Sequence, residues 1–150
     1  MTDVKFISHK DEFIKAKDIA VQRALEAIGM AVEGYAKMKT PVGTPESTGI
    51  EGYLGGTLRN SISYATKNHN GTTIKVTKED ADPLAENHGG STREMTNSDD
   101  DSVIIGTNVY YAPYVETGTS KTKAQPFLKP AVNNHISEYK KLALNELKKG

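Results

Sequence analysis

Four histidines and nineteen carboxylates are the groups here that can hold a metal or move a proton, and their spacing decides which chemistry is open to them. His9, His69, His88 and His135 stand far apart, and no two have the three- or four-residue separation by which a helix presents two ligands to one ion. His88 lies near Glu86, and Asp99, Asp100 and Asp101 run together. The alternating ligands and central glycine of a calcium loop are missing around them. Gly55-Gly56 lacks the Lys-Ser/Thr that completes a phosphate loop, no serine sits in a nucleophile elbow, and the absence of cysteine removes thiol chemistry. A catalyst would have to be built from an unpatterned pair such as Glu116 with His135. No cofactor and no metal is expected, and the chain is read as not an enzyme.

Glu116 has a second kind of chemistry. A carboxylate beside a glycine turn accepts backbone N–H bonds and fixes the turn, or pairs with a cation, or stays solvated. Arg59 is the cation expected to pair with it. Around Glu116 the stretch Tyr110–Val132 reads as a strand end, a glycine turn and a helix start. Tyr110, Tyr111 and Tyr114 crowd three rings into one connection. Pro126 and Pro130 bracket Phe127 and Leu128, and proline is tolerated in a helix's first turn because its missing N–H has no partner there. A helix is therefore expected from about Pro130 to Lys148, with an apolar plug just before it and an inward face of Val132, Ile136, Tyr139 and Ala143 beside Leu142 and Leu147.

The elements that must position these residues follow from periodicity. Val21, Leu25, Ile28, Val32 and Tyr35 recur at helical spacing, which predicts a helix from about Lys10 to Lys39. Ser8 is its expected cap, and Thr40-Pro41 its stop. Ala20, Ala24, Ala27 and Ala31 flank the stripe and invite close approach. Residues 40–57 form a glycine- and proline-rich loop whose large apolar pair is Tyr53 and Leu54. Strands are expected over Leu58–Thr66 and Thr72–Thr77, joined by a hairpin at Asn70-Gly71, and then over Ser102–Thr107 and Val109–Val115. The result is an α+β domain: a long N-terminal helix and a C-terminal helix packed on a small antiparallel or mixed sheet of about four strands.

Composition sets limits on this picture. A chain of 150 residues is read as one domain with loops 40–57 and 78–101 as flexible or insertion-like segments. Its zero formal net charge argues against a dedicated nucleic-acid binder. The charges are nonetheless unevenly placed. Lys78–Asp101 carries eight acids against two bases, whereas residues 121–150 carry seven lysines against two glutamates. Identical subunits could bring such unlike patches together head to tail. No apolar run reaches a membrane span, and the first residues lack the form of a secretion signal. The chain is expected to fold in a cytoplasm.

Two runs resemble a known family. Gly56, Leu58, Arg59, Ser61 and Ile62 supply a Gly-x-Leu-Arg-x-Ser-Ile run. Tyr111, Ala112, Tyr114, Val115, Glu116, Gly118 and Thr119 supply an aromatic-Ala pair followed by hydrophobic-Glu-x-Gly-Thr. Pro126, Phe127, Leu128 and Pro130 fall within an Ala-x-Pro-Phe-Leu-x-Pro-Ala run. Together they cover about a third of the chain and are similar to the tail-component, or neck, proteins of long-tailed bacteriophages and prophages. The resemblance implies a structural protein of the head–tail connection, assembled in the host cytoplasm and located in the virion neck or at the top of the tail. It implies a ring, hexameric in the virion and monomeric when free, between head-connector and tail proteins. Phage DNA would pass through it without sequence-specific binding. A tail-terminator or tail-tube-associated part is the nearest alternative. From other classes, the lysine-rich end suggests a nucleic-acid-associated module, and the Glu/His pair a small hydrolase.

Overall fold

The computed structural model describes residues 10–42, 56–76 and 91–149. Ser8, His9, Tyr53, Leu54, Glu86, His88 and all of the acidic run before Ser91 lie outside the described residues.

Helix α1 spans Lys10–Lys39, the bounds expected from its periodicity. It stops where Thr40 turns its hydroxyl back onto the Ala36 carbonyl at 2.6 Å, one residue before Pro41. The buried line is rotated from the expected stripe. Ala20, Ala24, Val32 and Ala36 are buried, and Val21, Leu25, Ile28 and Tyr35 are half-buried. The small residues face inward because neighbours press close on both flanks of the helix.

Helix α2, Thr57–Ser61, occupies the first half of the strand expected over Leu58–Thr66, which shrinks to β1, Ser63–Ala65. Leu58 and Ile62 are four residues apart, and one helical turn puts both into the core. All of Ser63–Ala65 is buried, so β1 shows no alternation of exposure. The expected hairpin at Asn70-Gly71 also moves. Thr66 and His69 exchange backbone hydrogen bonds of 2.9 and 3.3 Å, so the tight turn is at Lys67-Asn68. Strand β2, Gly71–Val76, then crosses to another sheet, tied to β1 by the Thr72 N–H donating to Ser63 Oγ at 3.1 Å.

The α+β class stands, but neither sheet reaches four strands. β1 pairs antiparallel with β4, Ile104–Gly106. β2 lies between β3, Ser91–Met95, its antiparallel partner, and β5, Asn108–Val109, its parallel one. Strand β3 thus falls inside the stretch 78–101, expected from the sequence to be a flexible or insertion-like loop. The strand expected over Val109–Val115 ends at Val109, and helix α3, Ala112–Thr117, takes its place with Pro113 at its second position. The C-terminal helix is broken into α4, Leu128–Asn133, and α5, Ile136–Lys149. It begins two residues before Pro130, and of its expected inward face Val132, Ile136 and Leu147 are instead exposed.

α5 runs antiparallel along α1. Arg23 meets Glu146 at 3.6 Å near one end, and Tyr35 meets Glu138 near the other. The core lies between α1, α2 and the C-terminal helices. It joins Val32, Ala36, Leu58, Ile62, Val109, Ala112, Phe127, Ala131 and Tyr139.

On the other flank of α1, Gly29 receives the ring of Tyr64 from β1. A Cβ at residue 29 would stand 2.4 Å from Tyr64 Cδ2. Gly29→Ala gains about 1 kcal/mol of helix propensity but overpacks a buried ring at about 1–3 kcal/mol. A lower melting temperature is expected from thermal unfolding. In a Tyr64→Ala background the same substitution is expected to raise it. A rise in the wild-type background would show the ring free to move.

Candidate functional site

The Tyr110–Val132 connection is held by one side chain. Glu116 projects from α3 to the start of α4, where its Oε2 accepts the N–H groups of Phe127 at 2.8 Å and Leu128 at 3.1 Å. Its Oε1 accepts that of Lys129 at 2.8 Å. These first-turn donors have no acceptor within their own helix. Burial pushes the carboxyl upward, but the three backbone hydrogen bonds and the Lys129 charge outweigh it and hold the pKa below the usual carboxylate value. Both oxygens are occupied by main chain. The expected partner Arg59 lies exposed on α2 and makes no ion pair with Glu116.

The rest of the signature shapes the same connection. Gly118 ends α3 with φ 77°, donating to the Tyr114 carbonyl at 2.8 Å, and a Cβ there would meet the Ala124 nitrogen at 2.7 Å. Thr119 closes the tip: its hydroxyl accepts the N–H groups of Lys121 at 3.2 Å and Thr122 at 3.0 Å, and its own N–H donates to the Thr122 carbonyl at 2.8 Å. Gln125 N–H returns to the Val115 carbonyl at 2.8 Å. Phe127 is fully buried, Ala112 is buried, and Tyr111, Val115 and Leu128 pack around the core. Tyr110, Tyr114 and Pro126 are exposed, and Pro130 sits in the first turn of α4.

The upstream run plays a similar internal part. Gly56 precedes α2 with a left-handed φ of 98°. Ser61 Oγ donates to the Leu58 carbonyl at 2.7 Å and also contacts the Thr107 hydroxyl. Thr73 donates to the Ser61 carbonyl at 2.7 Å and accepts the Asn108 N–H at 3.2 Å. Fully buried Ser61 and buried Thr73 thereby join α2, β2 and β5.

The groups that could have done chemistry are dispersed. Glu116 does not meet His135, whose ring stacks on Tyr35 at 3.5 Å between centroids and lies 3.8 Å from Glu138. The three-residue step from His135 to Glu138 is a signal that sequence reasoning passed over. Tyr35 donates to Glu138, a bond that raises the Tyr35 pKa. Tyr139 donates to the Ala131 carbonyl, and burial above all pushes its pKa up to about 12. Asp99 accepts the Asp101 N–H at 3.1 Å, and Asp100 pairs with Lys67 at 2.5 Å. Among the described residues no three His, Asp or Glu side chains are grouped to hold a metal, and no helix is long and apolar enough to cross a membrane.

Beside Asp100 is a recess of about 150 Å³ whose lining includes Asp18, Ile19, Gln22, Lys67 and Asp101. Gln22 forms its wall, donating to the Asp100 carbonyl at 2.7 Å. The sequence hinted at it only through the run of three aspartates.

No curated protein and no solved structure matches the chain. A family model does match, over residues 5–118, which takes in the Gly56–Ile62 run and the signature as far as Gly118, while the Pro-Phe-Leu-x-Pro run lies beyond the match. That span exceeds half of the 150 residues and joins both halves of α1, the two sheets and α3. The chain therefore belongs to the HK97-gp10-like family, described as "Bacteriophage HK97-gp10, putative tail-component".

Proposed function

We propose that the chain is a non-enzymatic structural subunit of the phage head–tail connection, forming a ring in the virion between head-connector and tail proteins. The reading rests above all on Glu116. The carboxylate at the centre of the signature is committed to three backbone N–H groups, so the segment holds a loop in place rather than activating a substrate. What it leaves outward are Tyr110, Tyr114 and Pro126, residue types suited to contact with protein. The ring is hexameric in the virion and the free chain monomeric at ordinary concentration. DNA passes through it without base-specific contacts.

Deleting the gene from its phage or prophage and imaging the lysate tests this. DNA-filled heads and separate, unjoined tails are expected, with the protein recovered in wild-type virions. Normal virions from the deletion would overturn it. The family's description as a tail component favours a second reading, a tail-terminator or tail-tube partner. Tails of uncontrolled length from the same deletion would select that reading instead.

A further inference from the structure

α5 buries one face against α1 and leaves another apolar face uncovered. Ile136, Leu144 and Leu147 are 48%, 54% and 43% exposed. Ile136, Lys140, Leu144 and Lys148 follow one another at four-residue steps, so the apolar stripe is interleaved with lysine. Around α1 from α5, the recess beside the first half of α1 offers the opposite charge. Exposed Asp18 and Asp101 rim it, Ile19 is 52% exposed on its wall, and Asp100 is already matched by Lys67.

Within one copy the two surfaces cannot meet. Gln22 faces the recess and Arg23 faces α5, and adjacent helical residues point about 100° apart. We infer that the lysine-interleaved face of α5 docks onto the Asp18–Asp101 recess of a second copy of this chain. Each copy then offers one surface of each kind. The contact is head to tail, and it propagates around a ring when the two surfaces of one copy engage different neighbours. Leucines at the centre lose water while lysines and aspartates at the rim set register and exclude wrong approaches. This partner assignment rests on the reading of the chain as a ring-forming virion subunit.

Sedimentation equilibrium of the full chain at rising concentration and low salt is the test. The wild type is expected to associate, more weakly as salt screens the rim. Lys140→Glu with Lys148→Glu, or Asp18→Lys with Asp101→Lys, is expected to weaken association at least about a hundredfold. Each altered residue is exposed, so circular dichroism should stay native. An equimolar mixture of the two variants is expected to restore association, because every junction in an alternating assembly is again Lys against Asp or Glu. Association indifferent to both reversals, no restoration in the mixture, or a wild type that never associates would overturn the inference. So would salt-sensitive DNA binding through the same lysines without self-association. A normal virion from the gene deletion would refute the virion role while leaving these sedimentation results to stand or fall separately.

Discussion

Phe127→Ala is expected to lower the stability of this protein by about 3–5 kcal/mol, as truncation of a large, fully buried aromatic does. The ring is 0% exposed and belongs to the core cluster that also holds Val32, Leu58, Val109 and Ala131, so its loss opens the core these segments share. In a chain of this length each kcal/mol moves the melting temperature by about 2–4 °C. A fall of about 6–20 °C is therefore expected in thermal unfolding, with a smaller fall for Phe127→Leu. A loss under about 1 kcal/mol would mean that the core collapses freely into the space, and would remove the ring as the anchor of α4.

Glu116→Gln is expected to cost about 1–3 kcal/mol at neutral pH. One charged acceptor serving three N–H groups is replaced by a neutral amide with a single acceptor oxygen. The pH dependence distinguishes this from simple packing. The folded carboxyl has a lowered pKa, so its contribution is fully present above the unfolded value of about 4.3. As pH falls below that value the unfolded chain takes up the proton first, and the contribution is gone once pH drops below the folded pKa. The gap between wild type and variant in urea unfolding should be constant near neutrality and shrink in acid. A gap that persists unchanged at low pH would show that charge is not what binds α4 to α3.

The parts of this fold legible in the sequence are those set by many residues acting locally. α1 has thirty residues of helical pattern and a Thr-Pro stop, and it lies where that pattern puts it. The apolar plug before Pro130 is likewise present as Phe127. Reading failed where a short segment fits two periods. Leu58, Asn60 and Ile62 alternate like a strand, yet Leu58 and Ile62 also stand one helical turn apart, and burial of both decides for α2. Val109–Val115 failed in the same way, although Pro113 was a helix-start signal in plain view. Asn70-Gly71 suited a hairpin locally, but β2 finds its partners in β3 and β5 rather than β1. Glu116 was readable as a turn-fixing carboxylate. Its partners, eleven to thirteen residues on, were not, because nothing local links a carboxylate to the N–H groups of a distant helix.

The tip between Gly118 and Gln125 is clamped at its base by Gly118 to Tyr114 and Gln125 to Val115, while Thr119 organises its bend from within. Its side chains at Ser120, Lys121 and Lys123 are exposed and take no part in that clamp. Such a tip behaves as a cassette. Insertions or exchanges there are expected to be absorbed without disturbing the body, so the outward chemistry of the tip is free to change while the frame stays the same.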